Sequence, residues 1–123
     1  MANQHFISLE AGKRLIKKYK DHKEKVDKSV GKKLLPTCES FDRAAFDTIL
    51  AKPGCTGIRI YLGMDEADLV RLVIVGVNEK DEDILPSTIS QGKGGDETTG
   101  EEIIENGIRC PEICPPASDL NTL

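Results

Sequence analysis

The chain has no tryptophan, two tyrosines, three phenylalanines and two histidines in 123 residues. So few aromatics leave little for the stacking surfaces that hold single-stranded nucleic acid. With two histidines, both near the start at His5 and His22, no Ser–His–Asp or Cys–His arrangement recommends itself. No apolar run reaches membrane-span length. The longest, LVIVGV at 72–77, is the size of a strand. The start, MANQHFISLEAGKRLIKKYK, lacks the apolar stretch and small-residue cleavage pattern of a secretory leader. No Asn-x-Ser/Thr sequon occurs. A soluble, cytoplasmic protein is expected, in which thiols are free or metal-bound rather than bridged.

What is present suits one domain. The hydrophobic share is 38% and the charged share 31%. The net charge of −4 hides a polar layout. Residues 1–33 carry ten Lys/Arg against four Asp/Glu, whereas residues 64–123 carry four against fourteen. Such asymmetry can mark a nucleic-acid or membrane partner at the basic end, or a basic helix facing the acidic second half of its own chain. The acids Asp21, Glu24 and Asp27 interleave with the lysines, however, and the overall acidity argues against a nucleic-acid partner.

Periodicity assigns the elements. Ser8 is suited to cap a helix beginning at Leu9, with Leu9, Gly12, Leu15, Ile16, Tyr19, Val26 and Val30 along one side. Lys23 interrupts that stripe and is expected to snorkel. Gly31 is a stop. KKLLPTCES is a connector, and Ser40 is expected to cap a second helix over 41–51. Two strands follow. GIRIYL at 57–62 alternates, and LVRLVIVGV at 69–77 is β-branched and nearly continuous, as a strand covered on both sides is.

The link GMDEAD suits a hairpin. To keep Ile58, Ile60 and Leu62 on one face with Val70, Leu72 and Ile74, paired residue numbers must sum to an even number. A slip by one would carry Arg71 into the core.

Beyond Asn78 the chain turns polar, and 79–100 reads as a flexible, glycine-rich loop. EEIIENG at 101–107 is expected to form a short helix capped by Thr98 or Thr99 and stopped at Gly107. Residues 108–123 form a Cys/Pro-rich tail, with Ile108 and Ile113 as its expected apolar anchors.

The expected fold is a single α+β domain over 1–123. Two N-terminal helices pack on a small antiparallel sheet centred on the hairpin. A third strand comes from 34–38 or 108–110.

The four cysteines carry the main chemical alternative. Cys110 and Cys114 have a C-x3-C spacing that can place two thiolates on one zinc ion, with Cys38 and Cys55, or His5 or His22, needed to complete a tetrahedral set. Against this, Cys38 and Cys55 are single residues rather than a second close pair. Pro111 also removes an N–H that would steady a thiolate. A thiol-redox reading meets acidic surroundings, Glu112 included, which raise a thiol pKa. QGKGGDETTG lacks the phosphate-loop pattern, and DEDILPSTISQG lacks the glycine and glutamate of a calcium loop. No catalytic residue set emerges, and no cofactor is expected unless zinc binds.

The segments ISLEAGKRLIKKY, PGCTGIRIY, VIVGV and the terminal RCPEICPP…LN resemble small bacterial proteins of unknown function. The resemblance covers most of the chain outside the glycine-rich loop. It implies a bacterial origin and carries over no activity, cofactor or catalytic residue. The expected function is therefore a non-enzymatic interaction or adaptor module, pairing with a protein partner or a second copy through a strand edge or the basic helix. The alternatives are a cysteine site on Cys110 and Cys114, as structural zinc or thiol redox, and a ligand bound by the basic helix.

Overall fold

The hairpin pairs in the expected parity. In the computed structural model, which describes residues 2–86 and 102–123, β2 (Gly57–Met64) lies antiparallel to β3 (Val70–Val77). Ile58 stands opposite Gly76, Ile60 opposite Ile74 and Leu62 opposite Leu72. β2 runs two residues closer to the turn than 57–62 suggested, adding the Gly63–Arg71 and Met64–Val70 pairs, whereas β3 begins at Val70, one residue later than 69–77 suggested. Asp65 explains the extension. Its carboxylate accepts the Ala67 and Leu69 N–H groups, each at 2.9 Å, and the Arg71 guanidinium at 3.0 Å. Arg71 thus lies on the face opposite the isoleucines, held by the turn.

The described chain is α+β and falls into two units, Glu39–Ile108 and Met1–Cys38 with Arg109–Leu123. In the first of these, β3 is central. Its other edge takes β4 (Asp83–Ile84) and β5 (Ile103–Ile104), both antiparallel. The expected helix at 101–107 is therefore a strand at its centre. Ile103 and Ile104 are β-branched, and they find open main-chain groups at Val75 and Ile74. The proposed caps Thr98 and Thr99 lie outside the described residues, as do 87–100 of the expected loop. The earlier part of that loop is ordered by Asn78, whose side-chain oxygen accepts the Lys80 and Glu82 N–H groups.

The second helix, α2 (Arg43–Leu50), is shorter than expected; Asp42 takes the N-cap position, without a side-chain capping hydrogen bond. Ser40 instead ends β1 (Cys38–Ser40), which pairs with β6 (Ile108–Cys110) in a separate two-stranded sheet. The extra strands of the hairpin sheet thus come from 83–84 and 103–104, not from 34–38 or 108–110. Helix α2 buries Ile49 against Ile74 and Ile104, with Phe41, Ala45, Phe46 and Cys55 around them. Phe41 meets Phe46 edge-on at 6.2 Å. Gly76 permits this approach. A Cβ there would stand 2.9 Å from Cys55 Sγ and 3.1 Å from Ile49 Cγ2.

The other unit is built on α1 (Leu9–Val30), preceded by a short 3-10 turn at Ala2–His5. Ser8 caps α1 through the Ala11 N–H at 3.0 Å, and Gly31 ends it in the left-handed conformation at φ 83°. Lys23 does not snorkel. It is buried and bonds Asp27 at 2.7 Å, one helical turn on. Asp27 also accepts the Leu35 N–H at 3.0 Å, so one carboxylate ties α1 to the chain that leaves it.

Candidate functional site

Strand β2 carries the main exposed apolar feature of the Glu39–Ile108 unit. Among the described residues its one strand partner is β3, so its other edge presents unpaired main-chain groups. Alternation puts Ile58, Ile60, Leu62 and Met64 on one face, the face on which Ile74 meets α2. Helix α2 covers β3 there but leaves β2 open. Ile58 is 37% exposed, Ile60 53%, Leu62 75% and Met64 58%. The expectation that Ile58, Ile60 and Leu62 face a core alongside Ile74 is thus met in register but not in burial. The cause is the size of the covering layer, since one helix of eight residues spans about 12 Å.

The opposite face of β2 is polar and fixed. Arg59 donates to Asp83 and pairs with Asp81 at 2.6 Å, while the Tyr61 hydroxyl donates to the other oxygen of Asp83. The hydrogen bond from Tyr61 holds the Asp83 carboxyl below its usual range; burial opposes it, and Arg59 adds to the lowering. The same bond raises the Tyr61 pKa, with help from burial and the Asp83 charge. The cluster is built of Arg59, Tyr61, Asp81 and Asp83. Its effect is to hold β2 to the 78–83 turn, so that the apolar edge is presented on a rigid strand.

The cysteines do not come together as a set of four. Cys110 and Cys114 form a disulfide, with Cα atoms 4.5 Å apart. Cys38 and Cys55 are free. Cys38 opens β1, and the Cys55 thiol donates to the Gly57 carbonyl at 3.2 Å beside Gly76. No group of three or more His, Cys, Asp or Glu side chains among the described residues is placed to hold a metal ion. Bridged sulfurs are not thiolates, so a zinc ion on Cys110 and Cys114 requires their reduced form. The bridge itself departs from the expectation of free or metal-bound thiols. A separation of four positions made the pair visible in the sequence, but nothing there chose between a bridge and a ligand pair.

The bridged segment is held by polar contacts. The Arg109 guanidinium, buried, donates to the carbonyls of Lys33 at 3.0 Å, Leu34 at 2.7 Å and Pro111 at 2.9 Å. Thr37 N–H donates to the Cys110 carbonyl at 2.7 Å, and the Tyr19 hydroxyl to that of Pro36 at 2.5 Å. Lys20 reaches the main-chain oxygen of Leu123. Burial raises the Tyr19 pKa, the Asp27 charge adds to this, and Arg109 opposes it. Ile108 and Ile113, the expected anchors, are exposed. Arg109, read only as a charge in the sequence, does the holding instead.

The basic faces of α1 are partly neutralised within the helix, by Lys13–Glu10 at 3.7 Å and Lys17–Asp21 at 3.2 Å. Among the described residues no helix is long and apolar enough to cross a membrane. Comparison with protein-family models, curated proteins and solved structures gave no match.

Proposed function

We propose that the chain is a non-enzymatic interaction module that self-associates through β2, with a second copy as its partner. The observation that carries this reading is the run of four exposed apolar side chains on an edge strand free of proline. Soluble proteins ordinarily blunt such edges with charge, proline or a bulge. On β2 the apolar face holds Ile58, Ile60, Leu62 and Met64, and none of those devices interrupts it.

A second copy fits by symmetry. Antiparallel pairing about a twofold axis normal to the sheet keeps each face on its own side, so the apolar strips of the two copies become continuous. An axis at Tyr61 sets Ile60 opposite Leu62 and Ile58 opposite Met64 of the second copy. Arg59 then meets Gly63, and no like charges face each other. Main-chain hydrogen bonds along the edge supply affinity, and the apolar strip supplies register.

Sedimentation of the full chain tests the reading. The wild type is expected to sediment as a dimer. Leu62→Lys, on an exposed position, is expected to be a monomer with an unchanged circular dichroism spectrum. A monomeric wild type, or a Leu62→Lys variant that remains dimeric, contradicts it.

A further inference from the structure

The Cys110–Cys114 bridge is unsymmetrical in its exposure. Cys110 is 7% exposed, whereas Cys114 is open to solvent. Arg109, next to the buried sulfur in sequence, links the bridged loop to the chain that leaves α1. Its guanidinium grips Pro111 inside the loop and Lys33 and Leu34 outside it, while its own carbonyl accepts the Ile113 N–H at 3.1 Å. The Cys110 carbonyl takes the Thr37 N–H. The other ties in this unit are polar, among them Tyr19 to Pro36, Asp27 to Leu35 and Lys20 to Leu123. Among the described residues, Cys110 is its one buried apolar side chain, and the other buried ones are Lys23 and Arg109. Structures with so small an apolar core depend on staples.

We propose that the Cys110–Cys114 disulfide is a thiol-exchange site, opened by a dithiol reductant at Cys114, and that opening it loosens the hold of Arg109 and Cys110 on residues 33–37.

The direction of attack follows from access. A thiolate must approach along the S–S axis from beyond the sulfur it attacks. Cys114 is the exposed partner and Cys110 the buried one, so attack falls on Cys114. The reductant thiolate bonds to Cys114 Sγ, the S–S bond breaks, and Cys110 leaves as a thiolate that takes a proton from water. The second thiol of the reductant, deprotonated, then attacks the reductant's own sulfur in the mixed disulfide. Cys114 leaves as a thiolate and is protonated. Two electrons pass from the dithiol to the cystine, and the reductant departs as a disulfide. The loop regains the freedom that the cross-link removed, and the Pro111 carbonyl is no longer fixed against Arg109. Exchange in the other direction, with a disulfide oxidant, restores the clasp.

The test is amide hydrogen exchange on the full chain, oxidised and then treated with dithiothreitol, with mass confirming the gain of two hydrogens. The Leu35 and Thr37 amides are expected to exchange roughly tenfold faster on reduction, while Ile74 and Val75 in β3 do not change. Reoxidation by glutathione disulfide reverses the effect. The double variant Cys110→Ser/Cys114→Ser exchanges at the fast rate with or without dithiothreitol. Alkylation, read by peptide mass, labels Cys114 in Cys110→Ser faster than Cys110 in Cys114→Ser. Unchanged exchange at Leu35 and Thr37 after confirmed reduction overturns the proposal. So does equal labelling of the two thiols, or a chain that forms no Cys110–Cys114 bridge in glutathione disulfide.

Discussion

Ile60 and Ile74 stand directly opposite each other across β2 and β3, yet Ile74 is 1% exposed and Ile60 53%. The two side chains share a face and a register, and they differ in what surrounds them. Ile74 meets Ile49 of α2, and Ile60 is left at the edge. That contrast divides the strand pair into a half that holds the fold together and a half available to a partner.

The holding half should be sensitive to volume. Ile49→Ala removes the side chain that α2 buries most deeply, and a loss of about 2–5 kcal/mol is expected from the lost burial and the cavity left behind. Gly76→Ala errs in the other direction. Its Cβ would meet Cys55 Sγ and Ile49 Cγ2 at 2.9 and 3.1 Å, for a loss of about 1–3 kcal/mol. Urea denaturation measures both. A Gly76→Ala variant as stable as the wild type would show that the helix–strand approach is not close.

Glu39 is a second weak point of this unit. Among the described residues both its carboxylate oxygens are buried without a hydrogen-bond partner, and a Cβ on Gly107 would lie 2.9 Å from one of them. Desolvating a carboxylate without a partner is unfavourable. Glu39→Met keeps the length of the side chain and removes the charge, and a gain of about 1–2 kcal/mol in stability is expected. A loss in the same denaturation experiment would mean that the carboxylate contributes to the fold.

Acid should act on the α1 unit through Asp27. Burial pushes this carboxyl up, but the hydrogen bonds from Lys23 and Leu35, with the positive charges of Lys23 and Arg109, outweigh it and hold the folded pKa low. A depressed folded pKa contributes stability above the unfolded value, about 3.9. That contribution is lost as pH falls through the folded pKa. At neutral pH Asp27→Asn is expected to cost about 1.5–3 kcal/mol, as lost hydrogen bonds to a charged group do. Below the folded pKa the two proteins should converge. The helical signal at 222 nm, followed in urea across the pH series, gives the comparison. A difference that does not shrink in acid would rule out ionisation of Asp27 as the source.

Much of this was legible in the sequence, for physical reasons. Ser8 and Gly31 end α1 because each satisfies main-chain groups in a way few residues can. The parity of the hairpin register follows from alternation, because a slip by one would exchange Ile74 and Arg71 between faces. Alternation does not say how much of a face is covered, so Ile58, Ile60 and Leu62 looked like core. Ser40 and Asp42 are both of the residue types that suit an N-cap, and the pairing of β1 with β6 takes Ser40 into a strand and leaves the position to Asp42. Ile103 and Ile104 sit among good helix formers, and the open edge of β3, a feature of tertiary structure, makes them a strand. The part played by Arg109 was hidden for the same reason, since its acceptors at Lys33 and Leu34 lie far back in the chain.

Amide hydrogen exchange in β2, measured as a function of protein concentration, tests the central claim most directly. Self-association through β2 predicts that the amides of 57–64 pointing away from β3 become protected as concentration rises, while those paired with β3 stay protected throughout. Edge amides that exchange at one rate at every concentration would contradict it.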